Sequence, residues 1–230
     1  ATATPPPPSA PSPPSAPAPA ATAAVEGDPI ATALASVAVI ACGEGHGSGF
    51  LVSAGVLATN YHVIADDPVE QLTAIFFDPA THQETELPVS LISEDPAHDL
   101  AFLAVEADLV PLSVPDRFDH RNGHRVSVIG SPGIGSEGER LENVVTDGRL
   151  GPFYSSLIAP DRWSLSLTLN PGNSGGPVLD AETGDVIGVT VAKFTTVDGL
   201  ALAVPHAILA DRLHRATASS GDERAANDSL

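Results

Sequence analysis

Ser174 lies in the run Pro171-Gly172-Asn173-Ser174-Gly175-Gly176-Pro177-Val178, where the residue types most directly suggest chemistry. Attack by a serine on a carbonyl carbon needs an exposed hydroxyl beside backbone N–H groups that converge on the oxygen as it gains negative charge. Glycines around the serine let the chain turn sharply and keep side chains out of a substrate's path. The N–H groups of Gly172 and Ser174 are the expected oxyanion donors. Taken alone, the same run also fits a Gly-rich turn between two strands.

A serine hydroxyl is a poor nucleophile at neutral pH and needs a neutral imidazole within hydrogen-bond reach. His62 follows the apolar stretch Val56-Leu57-Ala58-Thr59 by three residues, where a loop could present it at a cleft. The third candidate is Asp99, in Asp95-Pro96-Ala97-His98-Asp99-Leu100-Ala101-Phe102-Leu103. An aspartate just before an apolar strand can be half-buried, which suits a group that orients and stabilises an imidazolium. In isolation His62 reads as filler and Asp99 as a turn residue; Asp95 and His98 are close competitors, but neither opens the strand. Together the three occur in the order His, Asp, Ser, which is the chymotrypsin order and differs from the subtilisin and α/β-hydrolase orders.

The elements that must position these residues are short. Apolar runs broken by Gly, Pro, Asp and Asn predict strands over 36–41, 48–52, 56–59, 72–77, 87–92 and 100–105. A second set is predicted over 125–129, 141–146, 164–169, 178–179, 186–191 and 200–204. Many short strands with regular turn signals indicate an all-β sandwich or barrel. The polar stretch 111–124 divides them, which predicts two β-halves, about 34–110 and 122–205, with a cleft between them. After Pro205 the apolar period changes, and Ile208, Leu209, Arg212 and Leu213 share one helical face; a terminal helix over 205–215 is expected on the second half, followed by a disordered tail over 219–230. Residues 1–24 contain only Ala, Thr, Pro and Ser, so they read as a polyproline-like linker that cannot bury a core.

Apolar residues form 43% of the 230-residue chain and aromatic residues only 4%, so the core must be mostly Val, Ile, Leu and Ala. The formal net charge of −19 repels polyanions and argues against nucleic-acid or anionic-membrane partners. Cys42 is the single cysteine, which excludes an internal disulfide, and its apolar setting marks a buried thiol. No apolar stretch approaches the ~18 residues needed to span a bilayer. The chain begins at Ala1 and contains no methionine, so it reads as processed or trimmed and is compatible with a membrane tether upstream. His120 and His124 have helix-compatible spacing, but they flank a glycine with no third ligand in view, so no metal is expected.

At these motifs the chain resembles the HtrA/DegP-like trypsin-type serine proteases. The resemblance is carried by Gly47-Ser48-Gly49-Phe50-Leu51-Val52, the 58–64 segment around His62, the 95–103 segment around Asp99, Val128-Ile129-Gly130-Ser131-Pro132, and the Ser174 run; Val145-Thr146-Asp147-Gly148 and Leu200-Ala201-Leu202-Ala203-Val204-Pro205 add to it. It implies two antiparallel β-barrels of the chymotrypsin-like type with a triad His62, Asp99 and Ser174 at their junction, no cofactor, and a polypeptide substrate. It also implies an extracytoplasmic setting, in envelope quality control or in processing of a specific partner. Family members usually carry PDZ domains, and none follows the terminal helix here, so a protease domain alone is expected and peptide gating is not. Oligomeric state is left open.

The pocket for the residue before the cut is expected near Thr168, Thr190, Val191, Ala192, Lys193, Leu200 and Leu202. The run 164–173 contains no acid, which favours a modest apolar residue over Lys or Arg. The alternative from another class is a protease-like module that binds rather than cuts, with the 171–174 turn held in an inactive conformation; a holdase with an exposed apolar groove is a third.

Overall fold

In a computed structural model, the short apolar runs fold into two closed six-stranded antiparallel barrels. The structure describes residues 27–43, 45–134, 139–154, 156, 161–193 and 198–227. The proline-rich segment 1–24 lies outside them.

The first barrel comprises β1 (Val37–Cys42), β2 (Gly45–Ser53), β3 (Val56–Thr59), β4 (Thr73–Phe77), β5 (Glu84–Asp95) and β6 (Leu100–Val105). The second comprises β7 (Arg125–Gly130), β8 (Val144–Tyr154), β9 (Arg162–Ser166), β10 (Pro177–Asp180), β11 (Val186–Lys193) and β12 (Ala201–Pro205). Around each barrel the strands follow one order: β1-β2-β3-β6-β5-β4 in the first and the equivalent β7-β8-β9-β12-β11-β10 in the second. Closure removes the free strand edges that an open sheet would expose.

Strands such as β6 are apolar without interruption because both of their faces are buried. Leu100 and Phe102 point into a core between the barrels, while Ala101 and Leu103 point into the first barrel's interior. Val178 and Leu179 divide the same way, Val178 inside the second barrel and Leu179 at the junction. The period-2 alternation therefore separates two apolar layers, not an apolar layer from a polar one. The segment between the barrels straps them together, with Leu112 N–H donating to Leu51 O at 2.9 Å and Val186 N–H donating to Ser113 O at 2.8 Å.

Each expected strand has a counterpart; β3 and β6 keep the expected bounds and the others are shifted. β5 begins at Glu84, before the expected 87, because Glu84, Thr85 and Glu86 pair with β4 while their side chains face solvent. β8 continues to Tyr154 although Gly151-Pro152 reads as a break; the ladder absorbs that dipeptide as a bulge between Leu150 and Phe153.

Three α-helices and two 3-10 helices, Leu34–Ser36 and Val69–Gln71, complete the described fold. α1 (Pro29–Ala33) is absent from the sequence-based expectation; it is too short for periodicity, and its signal is Asp28, whose Oδ1 accepts from Ile30 N at 2.9 Å, followed by Pro29 at the first turn. α2 (Tyr61–Ile64) is a single turn carrying His62. α3 spans His206–Asn227, longer than the expected 205–215 and running through most of the stretch expected as a tail. Apolar periodicity marks only the part that packs, ending at Ala216; the continuation over 217–227 is mostly small and polar, with three alanines and no proline to stop it. α3 also packs on β5 and β6 as well as β11 and β12, so it bridges both barrels and is not confined to the second.

Candidate active site

The site forms where the two barrels meet. α2 follows β3 directly, and Val63 and Ile64 anchor it in the first barrel's interior, which leaves the His62 side chain 49% exposed. Asp99 ends the turn between β5 and β6 and its carboxylate meets His62 twice. The imidazole Nδ1 lies 2.8 Å from Oδ2 and 3.0 Å from Oδ1, while the His62 backbone N–H donates to Oδ1 at 2.9 Å. A carboxylate that holds both ring and backbone fixes the ring's orientation and favours the tautomer with the proton on Nδ1, which leaves Nε2 free to act as a base.

Asp99 adopts φ of +58°, a left-handed conformation uncommon for a residue with a side chain. The two residues that competed with it in sequence serve the same turn. His98 Nδ1 lies 2.7 Å from Asp95 Oδ2, and Arg212 of α3 donates from Nε to the same carboxylate. Burial alone would raise the Asp95 carboxyl, but the hydrogen bonds from Arg212 and His98 and the adjacent His98 charge outweigh it and hold it below the ordinary carboxylate value. A depressed pKa stabilises the fold above the unfolded-state value near ~3.9, and that contribution is lost as pH falls through the folded value. Asp95→Asn is therefore expected to lose about 1.5 kcal/mol at pH 7 and to show a flatter decline in stability below pH ~4, measured by urea unfolding across pH.

The Ser174 loop enters from the second barrel and presses on the first. A side chain added at Gly47 of β2 would meet both Val63 of α2, at 2.6 Å, and Ser174 O, at 3.1 Å, so the serine loop and the His62 helix converge on this glycine. The peptide carbonyls from 171 to 174 are all taken up internally. Pro171 O accepts from Gly133 N at 3.0 Å, and Gly172 O from Ser48 Oγ at 2.7 Å. Asn173 O accepts from Thr190 Oγ1 at 2.6 Å and from Gly176 N at 3.1 Å, and Ser174 O from Ser48 N at 2.7 Å. Asn173 N–H is also used, donating to Asn170 O at 3.1 Å. Among the described residues, the N–H groups of Gly172 and Ser174 have no recorded acceptor.

Two glycines make this loop possible. Gly175 has φ of +86°, and a Cβ there would lie 2.1 Å from Ser48 O. Gly172 has φ of +98°, and a Cβ there would lie 2.4 Å from Ser131 O and 2.7 Å from His46 Nε2. Gly172→Ala must displace the loop and with it the 172 N–H. Loss of one oxyanion donor costs about 10²–10³ in kcat, and a fall of that size with an unchanged far-UV spectrum is expected when the variant is assayed on a peptide ester.

The Ser174 hydroxyl donates to Val191 O at 2.7 Å, and among the described residues no hydrogen bond links it to His62. Of the residues expected around a substrate pocket, Thr168 is exposed, Leu200 half-buried and Leu202 nearly buried. Thr190 does not line a pocket. It is fully buried, and its hydroxyl holds the Asn173 and Gly176 carbonyls, so it shapes the serine loop from behind. The side chains of Ala192 and Lys193 lie outside the described residues; their backbones pair with Leu202 and Ala201. Ser48 was legible in the sequence only as part of a Gly-Ser-Gly strand, although it contributes two of the bonds that shape the loop. His120 and His124 face separate partners, Gly151 O at 3.0 Å and Asp180 Oδ2 at 2.9 Å.

Comparison with known proteins places the chain in a family. Residues 47–189 match the trypsin-like peptidase domain family. The chain is 34% identical over 173 residues to the DegP-like periplasmic serine endoprotease of Pseudomonas fulva, covering 72% of this chain and 33% of the relative. It is 33% identical over 171 residues to the serine protease HhoB of Synechocystis sp., covering 70% of this chain and 38% of the relative. The chain thus spans about a third of the length of the curated relatives it matches. Among solved structures, the HtrA-type protease AlgW bound to a tripeptide superposes with a TM-score of 0.68 at 26% identity, over 83% of this chain and 62% of that one. With two barrels of one topology, a carboxylate-held histidine at their junction and a family match over more than half its length, the chain belongs to the trypsin-like peptidase family, alongside DegP-like serine endoproteases.

Proposed function

We propose that the chain is a serine endopeptidase in which Ser174 is the nucleophile, His62 the general base and acid, and Asp99 the group that orients and stabilises the imidazole. The observation that carries this reading is the convergence of the Asp99-held His62 helix and the Ser174 loop on Gly47. In the proposed cycle the Ser174 hydroxyl turns from Val191 O toward His62 Nε2 and attacks the scissile carbonyl carbon as Nε2 takes its proton. The carbonyl oxygen becomes an oxyanion held by the Gly172 and Ser174 N–H groups, the two in this loop without a recorded acceptor. His62 then protonates the leaving amine as the C–N bond breaks, giving an acyl-enzyme, and water repeats the sequence to release the acid and restore Ser174.

Fixed carbonyls favour this loop as an oxyanion site because each C=O drawn inward turns the N–H of the same peptide the other way. The proposed site for the residue before the cut is apolar and modest in size, between Thr168, Leu200 and Leu202, with no carboxylate in the run 164–173 to meet Lys or Arg. The periplasmic relatives support an extracytoplasmic setting and a polypeptide substrate, through envelope quality control or processing of one partner.

A fluorophosphonate probe and unfolded casein test the reading together, at pH 7 to 8. The expected result is modification of the wild type at Ser174, cleavage of casein, and neither in Ser174→Ala. Because the Ser174 hydroxyl rests on Val191 O, a module locked in that state is the competing reading, and a wild type that is neither labelled nor active would establish it.

A further inference from the structure

The left-handed Asp99 must be held in place by something, because such a backbone conformation costs on the order of 1–3 kcal/mol and persists only where its surroundings over-determine it. The φ and ψ of a residue are set by the orientations of the two peptide planes that flank its Cα. At Asp99 both planes are gripped by side chains. The plane that follows is held through its carbonyl, since Asn60 Nδ2 donates to Asp99 O at 2.9 Å. Asn60 is fully buried and belongs to the first barrel, two residues before His62. The plane that precedes is held through the His98 carbonyl, to which Arg162 Nη2 donates at 3.0 Å. Arg162 is the first residue of β9, so this second grip reaches across from the other barrel.

Arg162 is an expensive choice for a merely structural position. It is 3% exposed, and removing a guanidinium from water carries a penalty that neighbouring charges must offset. Burial lowers its proton affinity, opposed by the nearby charges of Asp99, Asp161 and Asp95. The chain has only ten basic Lys and Arg residues against twenty-nine acidic ones. Two of the ten, Arg162 and Arg212, converge on the single turn from Asp95 to Asp99. A planar guanidinium suits this position because it donates in a fixed direction while carrying its charge toward the carboxylates.

We propose that Arg162 is a positioning residue for the triad acid: from the second barrel it fixes the 98–99 peptide plane and so keeps the Asp99 carboxylate on His62 Nδ1. This inference rests on the triad reading, in which that contact orients the general base. The geometry of the His62–Asp99 pair then depends on the docking of the two barrels, and not on the first barrel alone.

The full chain carrying Arg162→Met tests it, with Arg162→Lys and Asp99→Asn beside it. The first readout is the low-field proton resonance of a His Nδ1–H bonded to carboxylate, assigned to His62 by its absence in Asp99→Asn. The second is kcat and KM on a peptide ester, and the third is thermal unfolding. Arg162→Met is expected to broaden or abolish the resonance and to lower kcat by about 10- to 100-fold, the scale of an ångström-level misplacement, with KM within about twofold. Arg162→Lys should recover part of the loss. In the Asp99→Asn background, Arg162→Met should change kcat by less than about twofold, since the contact it protects is already gone. A resonance and kcat that persist in folded Arg162→Met would overturn the proposal, as would an equal loss in the Asp99→Asn background. If Arg162→Met does not fold, Arg162→Leu, which likewise removes the donor to His98 O, is judged by the same criteria. The resonance does not depend on activity, so an inactive, unlabelled wild type would sink the protease reading while the resonance still decides the role of Arg162.

Discussion

His62→Ala is expected to lower kcat by about 10⁶, and Ser174→Ala by a similar factor, with the double variant no worse than either. The reason lies in how the two side chains act as a unit. The Ser174 hydroxyl carries a proton that must leave as the new C–O bond forms, and in the proposed cycle His62 is the base that takes it. Asp99 is committed to His62 Nδ1 and to the His62 backbone N–H. Removing the serine leaves a base with nothing to deprotonate, and removing the imidazole leaves a hydroxyl of ordinary acidity resting on Val191 O. What survives in each case is substrate binding and the N–H groups of Gly172 and Ser174, so a residual rate of about 10³ over water is expected. The check is hydrolysis of one activated peptide ester by the wild type, both single variants and the double variant. Losses that multiplied in the double variant would show that the two residues do not serve one proton transfer.

Asp99→Asn is expected to lower kcat by about 10⁴ while leaving KM nearly unchanged. The substitution preserves volume and keeps an oxygen that can accept from the His62 backbone N–H at the place of Oδ1. An amide NH₂ then faces Nδ1 where Oδ2 now lies. That donor forces Nδ1 to accept, moves the ring proton to Nε2, and removes the base from the side that faces the serine. The loss should shrink at high pH, where hydroxide substitutes for the missing base. A pH–rate profile of the variant that rises with pH above 8, beside a wild type level in that range, is the expected result. A flat variant profile with a fall of less than tenfold would mean that Asp99 does not control the tautomer.

His62, Asp99 and Ser174 were legible as candidates because each has a local signature: a histidine just past an apolar strand, an aspartate opening one, and a serine among glycines. The twelve strands were legible for a similar reason, since Val, Ile, Leu and Ala runs closed by turn residues mark local geometry. The 3.6-residue spacing after Pro205 predicts α3 only over 205–215, because periodicity reports the face that packs and is silent where a helix continues without one. α1 and the Gly151-Pro152 bulge escaped for the opposite reason. Five residues carry no period, and a Gly-Pro pair reads as a break unless neighbouring strands are present to absorb it.

Alone, the sequence determined the candidate residue types for the proposed chemistry, their order along the chain and the number of strands, because these depend on residues within a few positions of one another. Tertiary structure decided what binds the pieces together. Ser48 reaches Gly172 across 124 residues, Thr190 turns inward to hold Asn173 and not outward to a substrate, and Arg162 meets His98 across 64 residues and between barrels. None of these has a local signature, since a serine, a threonine or an arginine in a strand looks the same whatever it faces. Their partners are set by the closure of each barrel and the docking of one on the other, which fix distances that no short stretch of sequence contains.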